Sequence, residues 1–435
     1  MAPRILNIPR FRNDIRPRLL HPSLTKIPVG VFTPEEERLL KEALSIDDND
    51  DFAAVKSAKI LESLLEIHPS EPYLMIRVAD MRFVLNSKRT ASELYMNLID
   101  ELDDAEVECD ELDTWTSKHS RFVHMDKTRE LALYNGMKYA PKMAWNPNVS
   151  SEIKPAFKLE IDSYRELRDL WPSFNTSERL DQFYNLHCIE TNAIEGTFMF
   201  HRLDVPRLVV AGFDEQIGLP KAEERYQAGL VCSEEDAIGI LQDTRKALDL
   251  ILEFSSSKTS HLTPDLICQI HKSLMQTCRV SCVLGGPRES RIQYVNIGMT
   301  RDNTNTNVIV NSSAVGGRIQ FCPFNEVGAE VMAFCNEYNE LLNKEDYDPF
   351  GLAAWSNHAF VDIHPFEDGN GRMSRLLSSI PLLKKGLPPL CISESRKRQY
   401  FEHLNNLRAE RPKSDYLPLA TMMCESTLEC LQEIR

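Results

Sequence analysis

A glycine-containing turn that leads directly into a helix constrains this 435-residue chain more than any other stretch. Gly369 and Gly371 flank Asn370, and an apolar pattern at helical spacing follows over residues 376–383. Glycine accepts backbone conformations that turn several N–H groups towards one point, and the dipole at a helix N-terminus favours negative charge. The stretch therefore predicts an anion-binding site at the start of a helix, suited to phosphate groups.

The side chains around this turn would complete a phosphate-handling site. Arg372 and Arg375 are three residues apart, so they lie near one face of the first helical turn and can bind the same anion. Asp368 could hold Mg²⁺ together with phosphate oxygens. His364 has a reference pKa of about 6.5, which suits a general base. The alternative is a turn that only caps a core helix, and the occurrence of all these residues within residues 364–375 argues against it.

Residues 364–375, His-Pro-Phe-Glu-Asp-Gly-Asn-Gly-Arg-Met-Ser-Arg, resemble the signature of the Fic family, H-P-F-x-D/E-G-N-G-R-x-x-R, at every position. The resemblance implies an all-α fold, with a Fic-type helical core and a small β-hairpin flap, that transfers AMP from ATP to a protein hydroxyl. It makes His364 the catalytic base and Asp368 the ligand of Mg²⁺, with Mn²⁺ as the alternative. The implied nucleotide-binding residues of the signature are Asp368, Gly369, Asn370, Gly371, Arg372, Met373, Ser374 and Arg375.

A second informative stretch, Thr191–Gly196, closes a predicted helix that begins near Ser177. Gly196 is at the position of a C-cap glycine. Thr191 and Glu195 are four residues apart and share one side of the last turn, where a carboxylate is disfavoured unless a cation is near. The stretch resembles the family's inhibitory motif, [S/T]-x-x-x-E-[G/N]. The resemblance implies that Glu195 pairs with Arg375 and denies the ATP γ-phosphate its cation.

The resemblance also assigns a flap that would hold the target protein, at the end of a short predicted strand. An open strand edge can pair with an extended segment through main-chain hydrogen bonds, so target choice would depend little on target sequence. Residues 301–318 depart from the compact form of the family, and their apolar ends predict an extra hairpin. The flap residues are Val295, Asn296, Ile297 and Gly298.

An aromatic pair in a predicted helix near residues 395–408 resembles the adenine wall of related proteins. The pair is Tyr400 and Phe401. A family asparagine expected one helical stretch later has its nearest match at Arg408, with Asn405 and Asn406 close by, so the contacts to the base stay open.

The order of predicted elements divides the chain into five parts. Residues 58–69 end as a tetratricopeptide (TPR) helix often does, and a plain helical bundle is the alternative. The most plausible domain boundary is the proline-containing stretch from residue 141 to residue 155. The parts are 1–33, an irregular basic arm; 34–140, a helical, TPR-like domain; 141–176, a linker and connecting helix; 177–196, the inhibitory helix; and 197–435, the Fic catalytic domain.

Composition restricts the classes of partner. A net charge of −15 argues against nucleic acid, and weakly against an anionic membrane. The sequence has no stretch of about 18 apolar residues and no signal-peptide core, so no membrane contact is expected. The 11 cysteines lack a CxxC pair, which favours reduced thiols. The expected compartment is the cytoplasm, with the nucleus as the alternative.

The sequence therefore predicts a protein adenylyltransferase that is auto-inhibited by Glu195. One alternative is an enzyme that mainly removes AMP from its target, with Glu195 positioning water. Another is a catalytically silent, nucleotide-regulated TPR-like adaptor, against which the intact His364 and Asp368 argue. The expected partner is a protein substrate, and analogy with the family suggests a homodimer.

Overall fold

Helices form most of the chain, and their sequence order follows the predicted pattern closely. The structure is a computed structural model in which two compact units can be distinguished. The first unit contains the described residues up to Leu133 together with Cys278–Asn296, and the second contains the others. The structure describes residues 16–17, 19, 21–45, 53–135, 140–146, 157–198, 200, 204–213, 234–257, 259–286, 289–312, 315–344, 346–409 and 415–434.

The first unit is built from consecutive helices that pack on their neighbours in sequence, α2 on α3, α3 on α4 and α4 on α5. This arrangement agrees with the predicted helical N-terminal part, and its TPR-like character stays a prediction. Residues 1–15 of the predicted basic arm lie outside the described residues, and Arg16 forms two hydrogen bonds with Asp80. The helices are α1 (Pro22–Thr25), α2 (Pro34–Ser45), α3 (Ala53–Ile67), α4 (Pro72–Val84), α5 (Lys88–Asp104) and α6 (Asp110–Asn135).

A β-hairpin from later in the sequence completes the first unit. Strand β1 (Val280–Gly286) pairs antiparallel with β2 (Glu289–Tyr294). Val280 and Tyr294 belong to the same apolar core as α2 to α5. The resemblance implied a small hairpin at the flap, and the sequence pattern predicted one short strand of it, with apolar positions from Ile292 to Ile297. The strand instead ends at Tyr294, and β1 was missed because its sequence, Val-Ser-Cys-Val-Leu-Gly-Gly, has no strict apolar alternation.

The second unit is helical, with α14 and α15 as its most extensively packed pair. Helix α15 also packs on α10, and α14 on α17. The all-α fold class with small hairpins is therefore confirmed. The helices are α7 (Asp162–Leu170), α8 (Ser177–Glu195), α9 (Val205–Ala211), α10 (Glu234–Ser256), α11 (Pro264–Leu274), α12 (Arg301–Thr304), α13 (Phe324–Leu342), α14 (Pro349–Ile363), α15 (Asn370–Leu383), α16 (Lys397–Ala409) and α17 (Leu417–Glu433).

The predicted extra hairpin is present in the second unit. Strand β3 (Ile309–Ser312) pairs antiparallel with β4 (Gly317–Gln320), with Ile309 opposite Gln320. Met143 lies along the other side of β4, where Gln320 donates its N–H to the carbonyl of Met143 at 2.9 Å. The outer edge of β4 is therefore covered by main-chain pairing.

Two further sequence features have structural counterparts. The cysteines at the nine described positions that could be assessed are free thiols. Among the described helices, none combines the length and the apolar character needed to cross a bilayer.

Asp348 fixes the start of α14, the helix that leads into the predicted site. Its Oδ1 accepts the N–H of Gly351 at 2.7 Å, and its Oδ2 accepts the N–H of Leu159 at 2.7 Å. We expect Asp348→Ala to lower the free energy of unfolding by about 2 kcal/mol, because it removes a helix cap and leaves a buried N–H unpaired. Urea denaturation measures the change. Asp169→Ala, on an exposed face of α7, is the control, and equal losses in both variants would contradict this role.

Candidate active site

A short loop between α14 and α15 positions the predicted catalytic residues. Helix α14 ends at Ile363 and is capped by His364, whose φ of 52° is left-handed, and Gly369 precedes α15 with a φ of 76°. Asn370 fixes the loop between them: its Oδ1 accepts the N–H of Phe366 at 2.9 Å, and its Nδ2 donates to the carbonyl of Phe366 at 2.8 Å. The asparagine of the Gly-Asn-Gly turn therefore has a structural role in shaping the loop.

His364 is held as a neutral base. Its Nδ1 lies 3.1 Å from the carbonyl oxygen of Val361, so Nδ1 carries the proton and Nε2 is the acceptor. The imidazole ring stacks on Phe321 at a centroid distance of 3.9 Å. Burial, with a further contribution from the nearby positive charge of Arg301, lowers the pKa of His364 to about 3. The Nε2 atom is therefore free of a proton at neutral pH.

The N-terminus of α15 has the features of an anion site. The first intrahelical hydrogen bond runs from the N–H of Met373 to the carbonyl of Gly369, so the N–H groups before it have no acceptor within the helix. Asp368 lies next to this terminus, and its Oδ1 accepts the N–H of Gly369 at 2.7 Å. A carboxylate thus stands beside the helix end that favours negative charge.

Glu195, from the end of α8, contacts this helix end. Its Oε1 accepts a hydrogen bond from Nη2 of Arg375 at 2.6 Å. Arg375 is 1% exposed, and it also donates from Nε to Oγ1 of Thr191 and from Nη2 to the Thr191 carbonyl. Gly196 ends α8 in a left-handed conformation, with a φ of 72°. The structure therefore brings the predicted inhibitory residues and the second arginine of the signature together.

Gly371 makes this approach possible. A Cβ atom at position 371 would lie 2.1 Å from Oε1 of Glu195, far inside any allowed contact. The Glu195 carboxylate therefore lies directly over the backbone of the first turn of α15. Only a residue without a side chain permits that position, which gives the second glycine of the turn a steric role.

Arg372 is held by α8 as well, through a residue that the sequence reasoning missed. Its Nη1 donates to Oδ1 of Asn192 at 3.3 Å, and its Nη2 lies 2.9 Å from Sδ of Met275. Asn192 is buried and donates from Nδ2 to Oγ1 of Thr244. Asn192 directly follows Thr191 in the sequence, and that position within the inhibitory stretch was the available signal.

His271, on α11, is a second residue that sequence reasoning did not assign. Its Nδ1 accepts the N–H of Gly298 at 2.9 Å, so its Nε2 carries the proton and donates to the carbonyl of Asp368 at 3.1 Å. The ring stacks on Phe366 at 3.6 Å. Burial lowers the pKa of His271 to about 3. The only signal in the sequence was a histidine on the apolar face of a helix, which usually indicates a core position.

The four predicted flap residues are divided between the two units. In the first unit, Val295 is buried, and Oδ1 of Asn296 accepts hydrogen bonds from Ser87 and Thr90. In the second unit, Ile297 is buried and Gly298 has a φ of 67°. Their contact with a target protein stays a prediction.

The remaining predicted nucleotide-binding side chains lie mostly in the interior of the second unit. Tyr400 is buried under Arg375, with its hydroxyl donating to Oδ1 of Asn357 at 2.7 Å, and Phe401 packs against it. Met373 is buried, and Ser374 donates from Oγ to the carbonyl of Gly371. Arg408, the nearest match to the expected family asparagine, is paired with Asp362. A direct role of these residues in nucleotide binding stays a prediction.

The residues present fit a nucleotide that brings its own metal ion. Asp368 supplies one carboxylate, and the described part of the chain has no cluster of three or more metal-ligating side chains. Such a set suits Mg²⁺ held mainly by phosphate oxygens and water. Nη1 of Arg375 is buried and has no hydrogen-bond partner among the described residues, which leaves a charged donor for a phosphate oxygen.

Comparison with known proteins agrees with this geometry. Residues 261–382 match the model of the Fic/DOC family. This chain contains a Fic domain. The Fic domain starts just before α11 and ends in α15, so it includes the loop, His364 and both signature arginines.

The curated relatives are similar over this region only. The protein adenylyltransferase Fic of Nematostella vectensis is 41% identical over 73 residues, which is 16% of this chain and 17% of that protein. The protein adenylyltransferase Fic of Aedes aegypti is 33% identical over 93 residues, which is 21% of this chain and 18% of that protein. A Fido domain-containing protein of Dictyostelium discoideum is 39% identical over 79 residues, which is 18% of this chain and 52% of that protein. The chain thus matches between about a sixth and a half of these relatives.

Two solved structures are similar at low sequence identity. A Fic domain-containing signalling protein of Bacteroides thetaiotaomicron has a TM-score of 0.48 and 19% identity, over 63% of this chain and 95% of that one. Fic-1 of C. elegans has a TM-score of 0.41 and 16% identity, over 92% of this chain and 98% of that one. The family assignment rests on the match to the family model.

The close approach of Glu195 to Gly371 predicts that substitutions at the two positions are coupled. Gly371→Ala should destabilise the parent chain, because the new methyl group displaces the carboxylate from Arg375. In a Glu195→Ala background the same change should be neutral or stabilising, since Ala is favoured over Gly in a helix by up to about 1 kcal/mol. Urea denaturation of the four proteins should give a coupling of roughly 1–2 kcal/mol. The same effect of Gly371→Ala in both backgrounds would show that the two residues do not meet.

Proposed function

We propose that this chain transfers AMP from Mg-ATP to a Ser, Thr or Tyr hydroxyl of a protein, and that Glu195 restrains the reaction. The observation that carries the proposal is the Glu195 carboxylate bound to Arg375 over Gly371, at the N-terminus of α15. A carboxylate occupies the position where this helix end would attract a phosphate. The similarity of the Fic domain to proteins named adenylyltransferases supports the reaction class.

His364 would act as the general base. Its unprotonated Nε2 takes the proton of the target hydroxyl, the hydroxyl oxygen bonds to the α-phosphorus, and the bond from that phosphorus to the pyrophosphate oxygen breaks. The hydrogen bond from Nδ1 to Val361 keeps the required tautomer. Because His364 is neutral well below pH 7, the base is available without a prior deprotonation.

The first turn of α15 would stabilise the phosphate charge. Its N–H groups and the guanidinium groups of Arg372 and Arg375 are oriented before the substrate arrives, which is the arrangement that lowers the barrier of phosphoryl chemistry. Asp368 would hold Mg²⁺. The ion, when bound, neutralises charge on the phosphate oxygens.

Glu195 would inhibit by competing for Arg375. As long as Oε1 accepts the hydrogen bond from Nη2, that atom is not available to a phosphate oxygen, and the negative carboxylate repels the triphosphate. The pair is anchored by the two additional bonds from Arg375 to Thr191. Release of the end of α8 would therefore be needed before ATP binds productively.

A second activity at the same site is removal of AMP from the modified target. The Glu195 side chain is 31% exposed beside the anion site, so its carboxylate could orient a water molecule towards a phosphorus bound there. This reaction needs Glu195, whereas AMP transfer is restrained by it. The two activities would then respond in opposite directions to loss of the carboxylate.

We also propose that the enzyme acts in the cytoplasm or nucleus on a protein partner and forms a homodimer, as the family analogy suggests. The acidic composition makes nucleic acid an unfavourable partner. The predicted TPR-like helices of the first unit belong to this proposal as well. Sedimentation of the purified chain across concentrations tests the dimer, and a constant monomer mass would contradict it.

The transfer reaction can be tested with ATP labelled at the α-phosphate. Glu195→Gly should incorporate roughly tenfold more label into protein than the parent, because inhibition is removed. Adding His364→Ala should abolish the incorporation. ATP labelled at the γ-phosphate is the control, and it should leave no label on protein. Equal incorporation by the parent and Glu195→Gly would rule out auto-inhibition, and persistent labelling in the double variant would rule out His364 as the base.

The reverse activity needs a separate measurement. Target modified by Glu195→Gly, freed of ATP, should release AMP when incubated with the parent chain, and should release much less with Glu195→Gly. Arg398→Ala, which alters only an exposed pair on α16, should release AMP like the parent. Equal release by the parent and Glu195→Gly would exclude Glu195 from this step.

A further inference from the structure

The insertion that begins at Arg301 contacts the loop that carries His364. Arg301 is completely buried, and its guanidinium donates to four backbone carbonyls. Its Nε donates to the backbone carbonyl oxygen of His364 at 2.6 Å, and its Nη2 donates to the carbonyl oxygen of Ile363 at 3.1 Å. The other two acceptors are the carbonyls of Thr306, inside the insertion at residues 301–318, and of Cys322, just after β4. One side chain thus joins the insertion and the segment just after β4 to the end of α14.

The backbone of Arg301 continues this connection. Its N–H donates to the carbonyl of Pro365 at 2.8 Å. Three consecutive residues, from Ile363 to Pro365, therefore bind one arginine through their carbonyl groups. Carbonyls at a helix C-terminus lack partners within the helix, and a cation there is favoured by the helix dipole.

This anchoring matters because the backbone at His364 is unusual. Its φ of 52° is in the left-handed region, which a residue with a side chain adopts only when its surroundings enforce it. Phe321, just after β4, stacks on the imidazole ring, and Thr306, inside the insertion, donates from its hydroxyl to Oε1 of Glu367 at 3.0 Å. The loop between α14 and α15 therefore packs against the insertion and the residue that follows β4.

The charges around His364 come from several elements. Arg301 on α12 and Arg408 on α16 both disfavour an imidazolium, whereas Asp362 on α14 favours one. Asp362 is paired with Arg408, so the effects of these two partly cancel. Burial lowers the pKa of Arg301 to about 10, and the side chain is still charged at neutral pH. Its four side-chain hydrogen bonds go to neutral carbonyls, while the carboxylates of Glu367 and Asp302 favour its charged form.

We propose that Arg301 is a positioning residue for His364, which holds the loop in its left-handed geometry and keeps the imidazole in the neutral form. The proposal rests on the proposed function, because it gives His364 the role of base. It also gives Arg301, the first residue of the insertion at residues 301–318, a function inside the site. Arg301 acts through His364 and touches no substrate.

Two substitutions separate the geometric part from the electrostatic part, each made in the Glu195→Gly background. Arg301→Lys keeps a positive charge but cannot bind four carbonyls, and Arg301→Gln removes the charge. We expect kcat for AMP transfer to fall about tenfold or more in both. In a plot of kcat against pH, the midpoint of the acidic limb should stay unchanged for Arg301→Lys. For Arg301→Gln it should shift to a pH higher by roughly one unit. Arg318→Gln, an exposed arginine of the same insertion, should match the background.

An unchanged kcat in Arg301→Lys would overturn the positioning role. An acidic limb that stays in place in Arg301→Gln would overturn the electrostatic role, because a merely structural loss lowers kcat at every pH. If Arg301→Gln does not fold, Arg301→Lys still decides the positioning role through kcat, and the next experiment adds Arg301→Met for the charge.

A measurement without activity keeps this inference separate from the proposed function. NMR of the chain labelled at histidine Cε1, with His364→Ala to assign the signal, reports the titration of His364 directly. The signal should show no titration near pH 6 in the parent and should titrate at higher pH once the charge at position 301 is removed. If Glu195→Gly transfers no AMP, the proposed function fails, while the titration still decides the inference. An identical titration in the parent and in Arg301→Gln or Arg301→Met would overturn it.

Discussion

The hydrogen-bonded ion pair between Glu195 and Arg375 is the contact on which the arrangement of the candidate active site depends. It joins the last turn of α8 to the second turn of α15, and the absence of a side chain at Gly371 lets the two helices approach this closely. Because Arg375 is buried, the charge of Glu195 has a large effect there, since electrostatic interactions are poorly screened in such surroundings. The same burial makes Arg375 a strong site for any other anion that displaces the carboxylate.

The loop between α14 and α15 depends on a second set of contacts, and all of them hold main-chain groups. Asn370 binds both polar groups of Phe366, His271 binds the carbonyl of Asp368, and Arg301 binds the carbonyls before the loop. None of these three side chains is needed as a reacting group. They fix the backbone, which in turn fixes the direction of His364 and of the N–H groups of α15. A site made of backbone donors requires such support, because a backbone group cannot be reoriented by a rotamer change.

Much of the helical fold was predictable because its signals are local. Oγ1 of Thr263 accepts the N–H of Leu266 and Pro264 is the first residue of α11, which are ordinary start signals of a helix. Gly196 ends α8 at the predicted position, and the N-terminal part is helical as predicted. The hairpin β1–β2 was predicted only in part, because one strand lacks an alternating pattern. Its pairing is set instead by burial of Val280 and Tyr294 in the core of the first unit, and contacts so distant in sequence leave no periodic trace.

The sequence by itself determined which chemical groups surround the turn at residues 364–375, since their spacing along one turn and one helix already restricts where they can point. It also determined that Glu195 is a candidate partner for a cation, because a carboxylate at a helix C-terminus needs one. Only the tertiary structure decided that Asn192, His271 and Arg301 take part. Each of them is distant in sequence from the residue it holds. Each acts through a hydrogen bond to a group that comes within reach only once the helices have packed.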